Sequence, residues 1–575
     1  MTIFMFDQSH LLGRVREVDT RKVSIVVSSD EDLRKAHVGQ LVALKLAGAA
    51  ETWLIGIIDK VIKSICHDNS DSLLGEPTDT SLAQVEVVNT VRLTLVGTVK
   101  WDAKEGKVKF TRSLAHVPEI DAKCHILCDK QLETFMNMLS NEIDNGYSLE
   151  FGKYTIDESA SAFIDGNKLF QRHAALLGST GSGKSWAVAS ILERAAKLPS
   201  ANLIVFDLHG EYRQLSYASH LRIPGPEELR RKADDLLYLP YWLLNAEEIQ
   251  AMFIDRSEFT AHNQVMAFQD AVVAEKKRTL MDLGKDEVLA AFTLDSPIPF
   301  SINSVLAVLN EWNEEMEQGV RGLKQGKFYG QFSRLLTRLR SKLSDKRYGF
   351  LFQAPDSEHE YGAMAKIAAR LMDYSYPGSQ IKVIDFSEVP ADILPIIVGL
   401  VARIIYQVQF WTDHEKRRPL AFICDEAHLY LPKKEGQNPI EIRAIEAFEK
   451  IAKEGRKYGV ALLVISQRPS DVSPTILSQC NNVIALRLTN ADDQSTVKKL
   501  MPESLESLLD VLPIMDIGEA LVVGDAVLLP SRIKINPPCE KPLSSTIDFW
   551  TEWQKTVSAP DFIKSVENMR RQGRN

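Results

Sequence analysis

The first 150 residues alternate short apolar segments with turn-forming residues. KVSIVVSS, QLVALKLA and TWLIGIIDKVI are rich in Val, Ile, Leu and Thr, and Gly, Asp and Asn stand between such segments. Closely spaced segments without helical periodicity predict short antiparallel strands. The pattern indicates a small β-barrel, and a β-sandwich is the alternative that it does not exclude. A hairpin turn is expected around Gly106, in WDAKEGKV.

From about residue 150 nearly continuous apolar runs replace this pattern. AALLG and NLIVFDLHG come first, and IKVIDFS, LAFICDEAH, VALLVIS and NVIALRL follow after about residue 375. Such runs are typical of strands that helices cover on both faces. Helical segments separate them, so the pattern predicts an α/β fold with a parallel sheet. GEALVVGDAVLLPSRIKINPP predicts a hairpin-like pair of strands near the end of the chain.

Between these two groups of strands, apolar residues recur at intervals of three and four. This spacing, in segments such as HNQVMAFQDAVVAEKKRTLM, SINSVLAVLNEWNEEMEQ (to residue 318) and QFSRLLTRLRSKL, predicts amphipathic helices and therefore a helical insertion. We expect a β-barrel at residues 1–150, a core at residues 151–225 and 376–535, a helical insertion at residues 226–375 and a C-terminal tail at residues 536–575.

Composition narrows the class of protein. The 575 residues are 45% hydrophobic and 25% charged, as in ordinary soluble globular proteins of about three or four domains. The net charge of −9 argues against a protein that coats nucleic acid through bulk basicity, although a local basic channel stays possible. Six cysteines are too few for a disulfide scaffold. A zinc site at Cys124 and Cys128 is disfavoured because no second cysteine pair follows at zinc spacing.

The sequence also bears on membrane association. The N-terminus has no basic region followed by a long apolar core, so we expect no signal peptide. The most apolar segment, ILPIIVGLVARIIYQVQFW, contains Arg403, Gln407 and Gln409. A membrane-spanning helix needs about 20 residues with few charges. We therefore interpret this segment as a helix buried against a sheet, and expect a cytoplasmic protein without membrane contact.

A glycine-rich loop lies between a predicted strand and a predicted helix in HAALLGSTGSGKSW. GSTGSGKS fits the phosphate-binding pattern G-x-x-x-x-G-K-[ST]. Glycines at 181 and 183 let backbone amides face a phosphate, and the N-terminus of the next helix offers its amides to the same anion. Lys184 is expected to reach the β- and γ-phosphates, and Ser185 to bind Mg²⁺. The predicted nucleotide-binding residues are Gly178, Ser179, Thr180, Gly181, Ser182, Gly183, Lys184 and Ser185.

Polar side chains follow three of the predicted core strands. After LAFIC, Asp425 is expected to hold Mg²⁺ through water and Glu426 to polarise the attacking water. Glu426 favours ATP hydrolysis over binding alone, because a kinase takes its nucleophile from a substrate pocket. Asp207, which ends LIVFD, is a second candidate for the outer shell of the metal, since residues just past strand ends meet at the ligand crevice.

Three further residues are candidates for sensing or completing the reaction. Gln467, after VALLVIS, can hydrogen-bond the γ-phosphate or the attacking water. Arg456 in EGRKYGV and Arg172 before the P-loop strand are candidates for arginines presented to the phosphate of a neighbouring subunit. A surface ion pair is the alternative for either arginine.

The segments RHAALLGSTGSGKS, VFDLHGEY, FICDEAH, EGRKYGV and ISQRPSD, in this order, resemble the HerA branch of the HerA–FtsK superfamily of hexameric ATPases. The resemblance covers nearly the whole chain and implies a RecA-like P-loop ATPase core with an N-terminal small β-barrel and a helical insertion. It implies that Lys184 and Ser185 bind nucleotide and Mg²⁺, that Asp425 is the Walker B acid and that Glu426 is the catalytic base. It also implies that Gln467 is the sensor and that Arg456 and Arg172 act across a subunit boundary.

The resemblance also implies partners. The family forms homohexameric rings that translocate double-stranded DNA through a central channel. Its members work with an effector, which is the nuclease NurA in end resection, or a sirtuin-like NADase or another nuclease in bacterial antiviral operons. The sequence shows no nuclease or NADase motif, so the effector is expected to be a separate protein. The N-terminal barrel, which has no catalytic constellation, is expected to hold the ring together and to dock that effector.

Two other functions compete with DNA translocation. One is a scaffold that assembles and switches its effector, with DNA movement secondary. The other is a membrane-attached secretion or conjugation ATPase, which the lack of a predicted transmembrane segment disfavours. A translocase needs basic side chains that contact phosphates in its channel. Lys433 and Lys434, after the Walker B strand, are the candidates, and solvated surface lysines are the alternative.

Overall fold

A computed structural model describes most of the chain, namely residues 3–47, 51–66, 86–102, 106–114, 116–143, 148–231, 233–319, 322–373, 380–434, 439–544, 548–556 and 562–571. The chain forms two compact units, each assembled from three segments. The first unit comprises Met1–Leu169, Leu176–Ile191 and Asn481–Pro537. The second unit comprises Phe170–Ala175, Leu192–Cys480 and Pro538–Asn575.

The described strands, numbered β1 to β20 in chain order, are Leu11–Asp19, Lys22–Val27, Leu41–Lys45, Thr52–Cys66, Glu86–Asp102, Lys107–Thr111, Lys123–Ile126, Leu149–Tyr154, Asp157–Ile164, Ala174–Leu177, Leu203–Asp207, Ser219–Arg222, Met316–Gly319, Gly322–Gln325, Ile381–Asp385, Leu420–Cys424, Val460–Ser466, Asn482–Leu486, Glu519–Val523 and Ser531–Ile535.

The described α-helices, numbered α1 to α17 in chain order, are Asp30–Leu33, Asp129–Ile143, Gly166–Gln171, Lys184–Ala196, Ala246–Phe253, Ala261–Asp282, Asp286–Ala291, Ile302–Glu314, Ser333–Ser344, Gly349–Phe352, Ala363–Met372, Leu394–Trp411, Pro439–Glu454, Pro474–Leu477, Ala491–Lys499, Phe549–Trp553 and Phe562–Arg571.

The N-terminal strands of the first unit form a closed antiparallel barrel. Six strands pair in the order β2-β1-β7-β3-β4-β5, and pairing of β2 with β5 closes the ring. Alternate residues of β2 point inward, and Val23, Ile25 and Val27 are buried in the barrel core. Register shifts between β4 and β5 bend these long strands, as closure requires. The predicted β-barrel is therefore confirmed over the β-sandwich alternative.

A second, antiparallel group of strands in the first unit has the order β18-β19-β20-β8-β9. β19 pairs with β20 from Glu519↔Lys534 onward, which confirms the hairpin-like pair predicted near the end of the chain. β8 pairs with β20 and with β9, so β8 and β9 belong to this group and not to the barrel. β10 begins in the second unit and ends in the first.

The second unit contains five parallel strands in the order β12-β15-β11-β16-β17. Every residue of β11, β15, β16 and β17 is buried, because helices cover both faces as the apolar runs predict. Two of these helices, α12 and α13, approach closely: a Cβ added at Gly399 would lie 2.9 Å from the Cα of Ala444. The predicted α/β fold class with a parallel sheet is confirmed.

The helical insertion also belongs to the second unit and contains α5 to α11. One difference from the sequence pattern lies after α8, which ends at Glu314 although the predicted helical segment extended to residue 318. Met316–Gly319 instead pairs with Gly322–Gln325 as an antiparallel hairpin. The Gly326 amide donates to the Glu315 carbonyl at 2.9 Å. This hydrogen bond joins the end of the hairpin to the residue that follows α8.

Helix α12 is the segment whose composition raises the question of membrane insertion. Its length and composition suit a membrane span, but 67% of it is buried inside the protein. Arg403, in the middle of the helix, donates to Glu248 of α5 at 2.9 and 2.7 Å. The helix therefore packs in the core of the second unit, as the buried-helix interpretation predicts.

Candidate nucleotide-binding and catalytic residues

The glycine-rich loop of the first unit follows β10 and opens directly into α4. Gly181 and Gly183 have φ values of 72° and 103°, a region that favours glycine. A Cβ at Gly183 would also lie 3.3 Å from the amide nitrogen of Gly518. Gly518 donates that amide to the Ser182 carbonyl at 3.0 Å, so the loop is held from outside as well as by its own glycines.

Lys184 and Ser182 face the interior of this loop. Lys184 is only 8% exposed, and its Nζ donates to the Ser179 carbonyl at 3.3 Å. The Ser182 hydroxyl is buried and has no hydrogen-bond partner among the described residues. Gly178 is close to it, since a Cβ there would lie 2.6 Å from Ser182 Oγ. The loop thus has glycines in the left-handed region and a buried lysine, and that it binds a phosphate stays a prediction.

In the second unit, the carboxyl ends of neighbouring parallel strands place acidic and polar residues at one edge. The register pairs Phe206 with Cys424 and Cys424 with Val464. The residues at and just past the ends of these strands therefore lie at the same edge of the sheet. They are Asp207 at the end of β11, Asp385 at the end of β15, Asp425 and Glu426 after β16, and Ser466 with Gln467 at the end of β17.

Asp425 is buried among other acidic groups. Its Oδ2 accepts the Tyr212 hydroxyl at 2.9 Å, and its Oδ1 accepts the Glu426 amide at 2.9 Å. Burial raises the pKa of Asp425 to about 7, and the charges of Glu426 and Glu211 act in the same direction. Carboxylate oxygens are ligands that a hard divalent cation prefers, so the donor chemistry of Asp425 fits Mg²⁺.

The same edge does not hold a complete protein-only metal site. Among the described residues, no group of three or more His, Cys, Asp or Glu is arranged to hold a metal ion. Mg²⁺ in proteins usually keeps several waters and is bound by one or two carboxylates together with substrate phosphates. The Cys124 thiol is buried in β7, and Cys128 is half-buried just after that strand.

Glu426 has an unusual backbone conformation for a residue that is not glycine. Its φ and ψ are 45° and 44°, in the left-handed region. Such strain costs on the order of 1 kcal/mol or more and is concentrated at functional sites. His428 Nδ1 lies 3.3 Å from Glu426 Oε2 and 3.4 Å from Ser466 Oγ. Sequence reasoning did not identify His428, although it stands two residues after Glu426 in DEAH.

Asp207 has a structural role that its sequence position did not reveal. Both of its carboxylate oxygens accept backbone amides of the loop after β11. His209 is exposed, while the Glu211 Oε2 atom is buried and has no hydrogen-bond partner in the described part of the chain. That Asp207 also belongs to the outer shell of a metal stays a prediction. Tyr212, which the sequence analysis did not single out, connects this loop to Asp425.

The two candidate trans-acting arginines lie near one buried histidine. The side chain of Arg456 is exposed and makes no hydrogen bond or ion pair within the described ranges, and Arg172 is also exposed. His173 Nδ1 accepts the Leu462 amide at 3.0 Å, and its Nε2 lies 3.0 Å from the Ala452 carbonyl. Burial lowers the pKa of His173, and the charge of Arg456 adds to this effect. His173 thus fixes the chain beside Arg172 as a neutral imidazole.

Lys433 and Lys434, the candidate DNA-contacting residues, differ from each other. Both are exposed. The Lys434 Nζ donates to Glu449 Oε2 at 2.9 Å, and Glu449 is a buried residue of α13. Lys433 makes no side-chain hydrogen bond or ion pair with any described residue. Of the two lysines, therefore, only Lys433 has a side-chain cation without a partner among the described residues. Residues 435–438 of the same segment lie outside the described residues.

Two family models match most of the chain. The model described as Helicase HerA, central domain, matches residues 149–405, and the model described as Helicase HerA-like C-terminal matches residues 396–539. The DNA double-strand break repair helicase HerA of Pyrococcus furiosus is 26% identical over 417 residues, which are 67% of this chain and 69% of the relative. A probable helicase of the same description from Methanocaldococcus jannaschii is 27% identical over 440 residues, covering 71% and 79%.

Two solved structures share a partial similarity with this chain. VirB4 of Thermoanaerobacter pseudethanolicus has a TM-score of 0.44 and 18% sequence identity, and the match covers 68% of this chain and 98% of that chain. The plasmid coupling protein TrwB in complex with ADP and Mg²⁺ has a TM-score of 0.40 and 15% identity, covering 64% and 86%.

Proposed function

This chain is an ATPase of the helicase HerA family, and we propose that it is a ring-forming motor that uses ATP hydrolysis to move double-stranded DNA. The two HerA matches extend without a gap from residue 149 to residue 539. Relatives that align over about two thirds of the chain are named as DNA double-strand break repair helicases. These matches support a DNA-handling ATPase, and the site residues supply the chemistry.

The observation that carries the ATPase assignment is the Asp425–Glu426 pair at the end of β16. Asp425 is buried and oriented by two hydrogen bonds, whereas Glu426 adopts a left-handed backbone conformation and its Oε2 lies 3.3 Å from Nδ1 of His428. Two adjacent acids held so differently have different roles. We assign Asp425 to Mg²⁺ through water, and Glu426 to polarising the attacking water.

The glycine-rich loop supplies the phosphate-binding groups. We assign nucleotide binding to residues Gly178 through Ser185. The left-handed glycines of this loop, and the hydrogen bond that the Gly518 amide donates to it, hold the loop in shape before a phosphate binds. Lys184 can exchange the Ser179 carbonyl for the β- and γ-phosphate oxygens, and Ser185 is the proposed Mg²⁺ ligand. Bound Mg²⁺ would neutralise phosphate charge during transfer. Gln467 is the proposed sensor of the γ-phosphate, and Asp207 an outer-shell residue.

Two substitutions test the ATPase assignment. Lys184→Ala should abolish both tight ATP binding and turnover, because the charge that contacts the phosphates is lost. Glu426→Gln should leave ATP bound but slow hydrolysis by about a hundredfold or more, because water is no longer polarised. Lys197→Ala, just beyond α4 and exposed, is the control and should change neither property. Normal turnover by Glu426→Gln would reject Glu426 as the base.

Membership of the same family supports our proposals for the assembly, the location, the partners and the domains of this protein. The chain would form a homohexamer in the cytoplasm, without membrane contact, with duplex DNA in the central channel and Arg456 and Arg172 acting across subunit boundaries. A separate effector, a sirtuin-like NADase or a nuclease in antiviral defence, would dock on the N-terminal barrel. The proposed domains are the barrel (1–150), the core (151–225 and 376–535), the insertion (226–375) and the tail (536–575).

Two alternatives give different results in one assay. If the chain is a scaffold, DNA does not change the rate of ATP turnover, and the activity of the complex with its effector depends on assembly with that partner alone. An end-resection motor works with a NurA-like nuclease, so its DNA-stimulated turnover would accompany strand degradation when that partner is added. Turnover is therefore measured with and without long duplex, and with and without the protein encoded beside this chain. DNA stimulation without the partner supports the motor.

A further inference from the structure

The loop that follows β11 is organised around one carboxylate. Asp207 is 1% exposed. Its Oδ1 accepts the backbone amides of His209, Gly210 and Glu211 at 3.2, 2.8 and 3.0 Å, and its Oδ2 accepts that of Tyr212 at 3.0 Å. Four consecutive amides on one side chain fix the path of this loop, as a capping carboxylate fixes the first turn of a helix.

A second contact holds the same loop from the other side. Gly210 has a φ of 72°, and a Cβ there would lie 2.5 Å from Nε of Arg213. Arg213 can occupy this space because glycine leaves it open, and its guanidinium donates to Asp385 at the end of β15 at 2.6 Å. The loop is therefore held at the ends of two strands, by Asp207 of β11 and Asp385 of β15, before and after Tyr212 in the chain.

Tyr212 connects this loop to Asp425, which directly follows the Walker B strand β16. Its side chain is fully buried, and its hydroxyl donates to Asp425 Oδ2 at 2.9 Å. The other oxygen of Asp425 accepts the amide of Glu426. One contact thus comes from the residue next to Asp425, and the other is a neutral donor supplied by a loop more than 200 residues earlier in the sequence.

The neutrality of this donor matters because Asp425 is surrounded by other acids. A lysine or arginine in the place of Tyr212 would neutralise the carboxylate and compete with a cation for it. A hydroxyl orients the carboxylate and leaves its charge available. The loop after β11 is therefore built to orient Asp425 without neutralising it.

We propose that Tyr212 is a positioning residue for Asp425, whose hydroxyl holds the carboxylate in the orientation that supports binding of Mg²⁺–nucleotide. This inference rests on the proposed function of Asp425 as the Walker B acid. Tyr212 acts through Asp425 and does not itself contact substrate. The residues of the motif VFDLHGEY then have distinct roles, since Asp207 shapes the loop, Gly210 admits Arg213, and Tyr212 orients the acid.

The test measures binding and not turnover. Affinity for a fluorescent, non-hydrolysable ATP analogue is determined in EDTA and across a Mg²⁺ titration, with full-length protein. Tyr212→Phe keeps the ring and removes the hydroxyl. It should raise the Mg²⁺ concentration at half-saturation by about tenfold, the effect expected for one lost hydrogen bond to a charged group, and leave the affinity in EDTA unchanged.

Tyr430→Phe is the matched control. Tyr430 is also fully buried in this unit, and its hydroxyl has no nitrogen or oxygen partner among the described residues. This control should titrate as the wild type does. A Tyr212→Phe titration equal to that of the wild type overturns the inference, and so does an equal shift in both variants, which would mean a loss of packing.

A second variant covers the case in which Tyr212→Phe does not fold. Gly210→Ala disturbs the loop at a position where a Cβ would lie 2.5 Å from Nε of Arg213 but keeps Tyr212, and it should raise the same Mg²⁺ half-saturation concentration. An unchanged titration in that variant overturns the inference. If Mg²⁺ does not promote nucleotide binding by the wild type, the proposed function fails first, and that failure is distinct from normal behaviour of Tyr212→Phe.

Discussion

Lys433 and Lys434 are adjacent in sequence but have different surroundings. Glu449 accepts Lys434 Nζ at 2.9 Å, while a second cation, Lys453 Nζ, lies 3.7 Å from the same oxygen. Lys434 therefore compensates a buried carboxylate of α13. Lys433 is exposed, and its backbone amide donates to the Asp471 carbonyl, which fixes the main chain but leaves the side chain to solvent.

This difference separates stability from DNA binding. Lys434→Glu should lower the free energy of unfolding by about 1 kcal/mol, because two carboxylates then face each other at a partly exposed position. Lys433→Glu should change stability by less than about 0.5 kcal/mol but reduce stimulation of ATP turnover by DNA. Thermal unfolding and turnover with duplex measure the two effects. Loss of DNA stimulation in Lys434→Glu alone would reverse this assignment.

At the residue scale, the sequence predicts best what lies within one short stretch. The eight residues from Gly178 to Ser185 follow a fixed spacing, and their loop lies between the predicted strand and helix. The Tyr212–Asp425 contact joins residues far apart in sequence, so no local pattern indicates it. The left-handed conformation of Glu426 could not be predicted either, since glutamate rarely adopts it.

At the element scale, one buried ion pair connects the helical insertion to the core helix α12. Arg403 and Glu248 make two hydrogen bonds, and their side chains are 15% and 6% exposed. Glu248 Oε2 also accepts the Asn245 amide at the start of α5, as part of a capping box. The pair therefore fixes both the start of α5 and its position on α12.

Breaking this pair on one side should be costly. Arg403→Met leaves Glu248 buried without its cation and should lower the free energy of unfolding of this unit by about 3 kcal/mol. The double variant Arg403→Met with Glu248→Met should be less destabilised than the sum of the single variants, because no buried charge remains. Lys366→Met breaks an exposed pair and is the control. Additive single effects in chemical denaturation would contradict the coupling.

Elements were predictable where burial is uniform. The strands β11, β15, β16 and β17 are apolar nearly throughout because both faces are covered, and their positions follow from composition alone. The hairpin Met316–Gln325 was missed, because its polar residues continue the charged surface pattern of α8. Its path also relies on two glycines: Gly322 has a φ of 122°, and a Cβ at Gly326 would lie 2.9 Å from the Glu315 carbonyl oxygen. Barrel closure was also undecided by the pattern, since β2 and β5 pair across more than 60 residues.

At the scale of the whole molecule, the proposed ring requires that subunits share active sites. Arg456 lies on a short turn between Gly455 and Gly459, and both glycines are needed: a Cβ at Gly455 would lie 2.6 Å from the Val460 carbonyl, and Gly459 has a φ of 72°. The turn presents Arg456 to solvent without an ion pair among the described residues. An arginine presented in this way is available to another subunit.

Mixed rings test this sharing directly. Arg456→Ala subunits should bind nucleotide and assemble but lose turnover, and Lys184→Ala subunits should lose turnover through the P-loop. In an equal mixture, about a quarter of head-to-tail junctions would pair an intact P-loop with an intact arginine, so turnover should partly return. A mixture of wild type with the Lys184→Ala, Arg456→Ala double variant calibrates the contribution of each junction. Subunit exchange is followed with a fluorescent label. If exchange is complete and the two single variants together remain inactive at every ratio, each subunit completes its own site and Arg456 has no role across the boundary.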